Sequence, residues 1–328
     1  MLLWGGLFGA AYGLLAYAII AGPKPNLAAS YSFLALVPVA LGAVPLLFSD
    51  PDQVAWFRKA FFIPWVSTLG LFLVLLAARA EGPICFLVLL GPFVLFISAG
   101  IWVVRAVGLR RLKKAQRKAA GIALLLLPFV AVGLEHRWLA RAETNLVATT
   151  VTVHAAPATV WAQIVEVAPL DDRELPPGLL NRLGLPRPLQ ATVDALRTGG
   201  VRTGRFEDGL RFVETIRDYQ PASRLLVDVS VDRSSLGGLP SLRHAFEGGY
   251  FSLSRVEYRL QPLAGGDTQL TLSCRYGLHT SVNFYGRAWM GLILRDFEVR
   301  LLQAVRSRAE RGAPSSHSPA PIAGRISL

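Results

Sequence analysis

Cysteine and lysine are scarce in this sequence, and each scarcity excludes a class of protein. Only two cysteines, Cys85 and Cys274, occur among the 328 residues, and they lie far apart in the chain. This count excludes a disulfide framework and argues against a cysteine-based metal site. Because Cys85 lies in an apolar run and Cys274 in a predicted strand, we expect two buried thiols, with no metal and no cofactor.

Short motifs with an assigned chemistry are also missing. The sequence contains no nucleophile elbow, no phosphate-binding loop and no zinc-binding helix motif. The formal net charge is +12, but no lysine follows Lys118 and the arginines after it are largely offset by acidic residues. Those arginines are not interleaved with aromatic residues that would stack on bases. The pattern therefore predicts a solvated, arginine-rich surface and no nucleic-acid partner.

Apolar residues are abundant, and their distribution divides the chain. They make up 52% of the sequence, and the mean hydropathy is +0.43. Nearly all of the long apolar runs precede residue 134, whereas residues 145–312 alternate as in a globular domain. We therefore predict a multi-span transmembrane region at 1–136, a folded domain at 145–312 and a disordered tail rich in Pro and Ser at 313–328.

Five apolar segments predict an all-α bundle of about five transmembrane helices. Each approaches or reaches the roughly 20 residues that cross a hydrocarbon core. The first lacks the basic start of a signal peptide. The fifth is short, so it either spans or forms a hairpin or an interfacial helix. The segments are 2–21, 31–48, 61–78, 83–104 and 119–134.

Basic residues predict the orientation of the bundle. Seven Lys and Arg fall in the basic segment Arg105–Lys118, which we place in the cytoplasm together with Arg58 and Lys59. The basic segment either only sets the topology and meets anionic lipid, or also binds a specific partner. Five crossings then put the C-terminal domain outside the cytoplasm; a fifth segment that does not span would return it. The positive charges left on the outer side are Lys24, Arg79, Arg137 and Arg141.

The second half alternates between strand and helix patterns. A strand, "LVATTVTVHA", is followed by a helix with Pro157 in its first turn, and then by loops over 168–200 with a short helix near Leu179. Turn signals separate five further strands, and a long helix apolar on one side follows over Val282–Glu310. The five strands are expected at about 200–207, 209–218, 223–232, 248–262 and 267–279.

This order resembles the START/Bet v 1-like helix-grip fold of the SRPBCC superfamily, which includes polyketide cyclases and dehydrases and lipid-transport proteins. The motifs that carry the resemblance are "VTVHAAPATVWAQI", "VRTGRFEDGLRFVETIRDYQP", "GGYFSLSRVEYRLQPLAGGDTQLTLSCRYG" and "YGRAWMGLILRDFEVRLLQAVRSRAE". The resemblance implies an α+β domain in which a curved sheet wraps a long helix around an apolar cavity. The arrangement of this domain after several membrane helices resembles that of bacterial members of the superfamily. This resemblance implies a protein of the bacterial plasma membrane.

A carboxylate and a guanidinium fall on the predicted inner face of the sheet. With period two, Glu214 lies on the same face as Phe212, and Arg202 lies inward on the preceding strand. A buried carboxylate must find a donor or take up a proton, and Arg202 is the expected donor. The two residues either form a structural pair or line a cavity.

Other residues are candidates for the wall of such a cavity. His244 is expected on a loop near the mouth, where its imidazole suits acid–base chemistry. Glu214 and His244 are the candidate catalytic residues. The full set of predicted ligand-binding residues is Arg202, Phe212, Glu214, His244, Tyr250, Tyr276, Trp289 and Phe297.

Three functions remain open from the sequence. The favoured one is membrane-tethered binding or transfer of a hydrophobic, lipid-like molecule in the cavity. The alternative is a cyclase- or dehydrase-like enzyme that acts on a hydrophobic substrate by acid–base chemistry. The third is a structural or interaction domain without a ligand. The expected partners are a hydrophobic small molecule and the membrane.

Overall fold

The structure is a computed structural model that describes residues 2–20, 22, 25–48, 57–108 and 111–312. The predicted tail at 313–328 and the outer charge Lys24 lie outside the described residues.

The N-terminal part is helical, and each predicted apolar segment coincides with one helix. A π-helical stretch, Ser32–Leu36, leads directly into the second helix, and proline begins the fourth. The helices are α1 Leu2–Ile20, α2 Val37–Leu47, α3 Phe57–Ala77, α4 Pro83–Val107 and α5 Lys114–Trp138.

Two of these helices, α4 and α5, are long and apolar enough to cross a membrane. The apolar helical stretches found in the other three, within the part of the chain that the structure describes, are Leu7–Ile20, Ser32–Leu47 and Pro64–Ala77, and each is shorter than a full span. The expectation of about five spanning helices is therefore supported for two helices only.

Glycine allows α2 and α4 to approach closely. A Cβ atom at Gly42 would meet the carbonyl oxygen of Ile97, and one at Gly100 would meet that of Val39. Small residues at helix crossings let backbones pack directly, as in membrane helix pairs. Around this crossing the bundle has its own apolar core, which includes Phe33, Phe93 and Ile97.

The C-terminal part is a seven-stranded antiparallel sheet in the order β1-β7-β6-β5-β4-β3-β2. Six of the strands match predicted ones. The edge strand β2 falls in the segment predicted as loops, because it is short and proline begins it. The strands are β1 Arg141–Val153, β2 Pro188–Val193, β3 Val201–Phe206, β4 Arg211–Gln220, β5 Arg224–Val231, β6 Phe251–Pro262 and β7 Thr268–Thr280.

Four helices accompany the sheet. The longest, α9, packs against β1, β7 and α6, and its apolar side closes a second core with the inner face of the sheet. This is the α+β helix-grip arrangement expected from the sequence. The helices are α6 Pro157–Val165, α7 Leu179–Arg182, α8 Pro240–Glu247 and α9 Asn283–Gly312.

The helical bundle and the sheet unit are in direct contact. Only residues 139–140 separate α5 from β1. The Ile84 amide donates to the Leu183 carbonyl oxygen at 3.1 Å, and Val282 is buried in the core of the bundle. Within the bundle itself, Glu135 near the end of α5 accepts hydrogen bonds from the backbone amide and the hydroxyl of Ser32, at 2.8 and 2.6 Å. The contact at Ile84 lies at the start of α4, and β1 follows the end of α5, whereas the basic segment joins the other ends of these two helices. The sheet unit therefore lies at the end of α4 and α5 opposite to the basic segment.

Candidate functional site

An apolar cavity lies between α9 and the end of the sheet nearest α7 and α8, and its volume is about 150 Å³. Five parts of the chain contribute walls: residues 175–188, which contain α7 and are called the α7 segment, the end of β3, the start of β4, α8 with the start of β6, and α9. The apolar lining residues are Leu175, Leu180, Leu185, Pro186, Pro188, Phe206, Leu210, Phe212, Leu242, Phe246, Phe251, Leu253, Met290, Ile293, Leu294, Phe297 and Leu301.

The volume limits what the cavity holds as it stands. Pockets for drug-sized molecules usually measure about 300–1,000 Å³, whereas a dry cavity of about 150 Å³ accepts one benzene-sized group. The interior predicted to be hollow is therefore largely filled by side chains, without being closed completely. A ring or a short section of an acyl chain fits, and a larger guest requires a wall to move.

Aromatic rings form much of the wall. Phe206 stacks on Phe297 with ring centroids 6.2 Å apart and meets the edge of Phe212 at 5.2 Å. Phe246 of α8 contacts Phe212 at 5.8 Å and Phe251 at 5.2 Å. Such ring pairs add to the energy of apolar burial. The rings therefore tie α8 to the sheet, so a displacement of α8 would open the cavity.

The polar groups at the rim are engaged with one another. Arg300 donates to the Asn181 side chain and to the Pro176 carbonyl oxygen. It also lies 3.7 Å from Asp296. Arg187 pairs with Glu207 on the other side of the rim. The rim thus holds the α7 segment against α9 and leaves the interior without an unpaired charge among the described lining residues.

Arg202 and Glu214 form the expected pair, but neither lines the cavity. They face each other across β3 and β4, and Arg202 also donates to the carbonyl oxygens of Ile164 and Val165, each at 3.1 Å. Arg202 is 3% exposed. Burial lowers the pKa of Arg202, but the charges and hydrogen bonds of Glu214 and Tyr258 together outweigh burial, and the net shift is upward. The pair caps the end of α6, which is a structural role.

His244 lies on α8 instead of the expected loop, and its side chain faces the helical bundle. Its Nδ1 is 2.7 Å from Glu81, which also accepts a hydrogen bond from the Tyr17 hydroxyl at 2.8 Å. Burial raises the pKa of Glu81, but the contacts with His244, Cys85 and Tyr17 outweigh burial, and the net shift is downward. Glu81 is thus a buried link between α1, α4 and α8.

Tyr250 does not line the cavity, because a β-bulge interrupts β6. The register with β7 shifts between Leu253 and Arg255, so the alternation that places Val256 inward continues upstream to Leu253 and Phe251. Tyr250 is one residue out of phase and lies beside the Glu81 contact. Burial, followed by the nearby Cys85 and Glu81, raises the pKa of Tyr250.

The remaining predicted residues divide between the wall and its surroundings. Phe212 and Phe297 line the cavity. Tyr276 is fully buried behind Phe251, with ring centroids 6.1 Å apart. Trp289 points toward Tyr285, with ring centroids at 6.5 Å, and not into the cavity. Two of the eight predicted ligand-binding residues therefore line it.

A buried acid that the sequence analysis did not single out lies on α9. Glu298 is fully buried, accepts a hydrogen bond from the Thr149 hydroxyl at 2.7 Å and lies beside Cys274. Burial raises the pKa of Glu298. Burial also raises the pKa of the neighbouring Cys274 thiol, which is buried as expected, whereas Cys85, also expected to be buried, is only partly buried. The spacing of four from Leu294 to Leu302 is the signal that places Glu298 on the packed side of α9.

Metal ligands are not clustered in the described part of the chain. No group of three or more His, Cys, Asp or Glu side chains there is arranged to hold an ion.

No protein family model matches the chain, and no curated protein is similar to it. Several solved structures are similar to about half of it. The Zhui aromatase/cyclase from Streptomyces sp. R1128 is 16% identical over 53% of this chain and 99% of its own, with a TM-score of 0.37. A START superfamily protein from Mycobacterium smegmatis is 13% identical over 51% of this chain and 97% of its own, with a TM-score of 0.35. A truncated norcoclaurine synthase from Thalictrum flavum is 12% identical over 51% of this chain and 93% of its own, with a TM-score of 0.33.

Proposed function

We propose that this protein is an integral membrane protein that binds or transfers a hydrophobic, lipid-like molecule in the cavity beneath α8 and α9. The observation that carries the proposal is the apolar cavity, whose walls come from α9, the sheet and α8 and whose polar groups are confined to the rim. Binding sites for apolar ligands combine an apolar interior with a few polar groups at the edge.

Membrane integration is supported by the helical part. α4 and α5 have the length of a span, and α1, α2 and α3 pack beside them as apolar helices. The basic segment lies at the end of α4 and α5 away from the sheet unit, so the positive-inside tendency favours an extracytoplasmic sheet unit. Alkaline phosphatase fused after Leu328 is therefore expected to be active in a bacterial host, and an inactive fusion would put the sheet unit in the cytoplasm.

Binding is favoured over acid–base catalysis by the residues that line the cavity. Asp296 is the only carboxylic acid among the described residues that line the cavity, and it forms an ion pair with Arg300. The two candidate catalytic residues, Glu214 and His244, make their contacts away from the cavity, with Arg202 and Glu81. A general acid or base must be within hydrogen-bond reach of its substrate.

The test is retention of lipid by the full-length protein in detergent, measured by native mass spectrometry and lipid extraction. Wild-type protein is expected to carry an apolar molecule and to bind a fluorescent fatty acid. Ile293→Trp places a larger side chain in the cavity, so we expect at least a tenfold loss of the fatty acid's affinity. Leu196→Trp, at a leucine that is 45% exposed and outside the cavity, is the matched control. A wild-type protein that neither retains lipid nor binds the probe would refute the function.

A further inference from the structure

A row of four aromatic rings lies along the junction between the bundle and the first turns of α9. Tyr31 stacks on Phe284 with ring centroids 6.5 Å apart. Phe284 meets Tyr285 at 6.4 Å, and Tyr285 meets Trp289 at 6.5 Å. Tyr and Trp are enriched where membrane proteins cross the level of the lipid headgroups.

The start of α9 lies beside α4 and not above it. The Tyr285 hydroxyl donates to the carbonyl oxygen of Val88, and a Cβ at Gly91 would lie 3.9 Å from the same hydroxyl. Val88 is five residues after Pro83, the start of α4, which is about 7.5 Å along the helix axis. α9 therefore begins at the depth of the second turn of the candidate span.

Large apolar side chains of this region face away from the protein. Phe284 is 58% exposed and Leu292 is 55% exposed. Leu95 of α4, one turn beyond Gly91 on the same helix face, is 63% exposed and continues the apolar surface. Surfaces of this kind mark contact with a partner or a membrane.

Charged residues bound this apolar surface. Arg295 is exposed about one turn after Leu292, where its long side chain can reach the headgroups or water. Arg287 lies on the β1 side of α9 and pairs with Glu143 at 2.8 Å. The apolar surface thus ends within the first three turns of α9.

We propose that Asn283–Leu292, the immersed segment, lies in the interfacial layer of the same bilayer that holds α4, with Phe284 and Leu292 against lipid. The inference rests on the membrane part of the proposed function and extends it to a surface of the sheet unit. Lipid is the occupant because the segment continues the exposed face of α4, which spans the bilayer in that proposal.

The test places single cysteines at Phe284, Ala288 or Leu292 of the full-length protein lacking Cys85 and Cys274, and labels each with the fluorophore NBD. Ala288→Cys is the mild substitution, in case a large side chain is needed for folding. Trp102→Cys, at an exposed site of α4 five residues before the helix ends, reports the bilayer, and Leu196→Cys reports water. The proteins are reconstituted in phosphatidylcholine and phosphatidylglycerol vesicles with nitroxide-labelled lipid, and iodide is the aqueous quencher.

We expect the lipid nitroxide to quench the three α9 sites at least threefold more than position 196, and iodide to quench them less. Quenching like that of position 196, with position 102 quenched by lipid, would overturn the inference and leave the membrane function intact. Protection from both quenchers would also overturn it, because a protein surface would then cover the segment. If lipid fails to quench position 102, membrane integration itself fails.

Discussion

At the scale of single residues, the most consequential side chain is Arg202. It satisfies two carbonyl oxygens at the end of α6 and pairs with Glu214, so it joins a helix to two strands inside the core. Its guanidinium lies 5.8 Å from the ring centroid of Tyr258. Burial raises the pKa of Tyr258 to about 12, so that phenol stays neutral beside the cation.

Glu214→Ala is expected to lower the free energy of unfolding by about 3–5 kcal/mol, because it leaves Arg202 buried without its counter-charge. The joint change of Arg202→Met and Glu214→Leu removes both charges and should cost less than Glu214→Ala alone. Thermal unfolding of the full-length protein in detergent measures both. If the single variant is as stable as wild type, Glu214 is not the required partner of Arg202.

At the scale of elements, α8 makes contacts on two faces, one with the cavity and one with the bundle. Leu242 and Phe246 line the cavity, while His244 between them contacts Glu81 of the bundle. Eight residues do not make a stable helix alone, so α8 depends on both sets of contacts. The contact with Glu81 therefore affects how firmly the cavity is covered.

Glu81→Gln is expected to speed amide hydrogen exchange of α8 several-fold at neutral pH, because it weakens the contact with His244. The folded pKa of Glu81 is depressed, so its stabilising contribution is present above the ordinary carboxyl value of 4.5 and is lost as the pH falls below it. Wild-type α8 should therefore loosen at acid pH, once exchange rates are corrected for pH. Glu247→Gln, at an exposed position at the end of α8, is the control. Equal protection in Glu81→Gln and wild type would exclude the anchoring role.

The expectations from sequence succeeded where periodicity is local and failed where tertiary pairing decides. Apolar run length located all five bundle helices, and alternation placed Arg202 and Glu214 opposite each other. The bulge in β6 could not be predicted, because an extra residue leaves no mark on alternation until the partner strand is known. Alternation alone therefore selects Tyr250, whereas Phe251 lines the cavity.

Two elements escaped prediction for a similar reason. α8 follows Gly237 and Gly238 and is only eight residues long, so its pattern does not exceed that of a loop. β2 depends on pairing with β3 at the sheet edge. The cavity wall was therefore predicted from the central strands and α9, while the parts that close it came only from the structure.

At the scale of the whole molecule, residues of the sheet unit complete the core of the bundle. Val282 and Tyr285 belong to the sheet unit in sequence, yet they pack on the core of the bundle. A fragment of residues 141–312 would expose both to water. Apolar burial is worth about 25 cal/mol per Å² of surface, so the loss of this contact is substantial.

We expect the isolated 141–312 fragment to unfold at least 5 °C below the same unit in the full-length protein, since 1 kcal/mol corresponds to about 2–4 °C at this size. Differential scanning calorimetry or circular dichroism in matched detergent measures the difference. The fragment carrying Val282→Ser and Tyr285→Ser should aggregate less than the unchanged fragment. Equal melting of fragment and full chain would show that the junction adds no stability.

The short connection between α5 and β1 restricts where this protein can act. Two extended residues reach about 7 Å, and the junction contacts of Ile84 and Glu81 fasten the other side. Under the proposed function, a protein built this way would not diffuse with its ligand across a compartment. In that proposal, any donor or acceptor of the ligand would have to dock at the membrane surface, where the bundle holds the cavity.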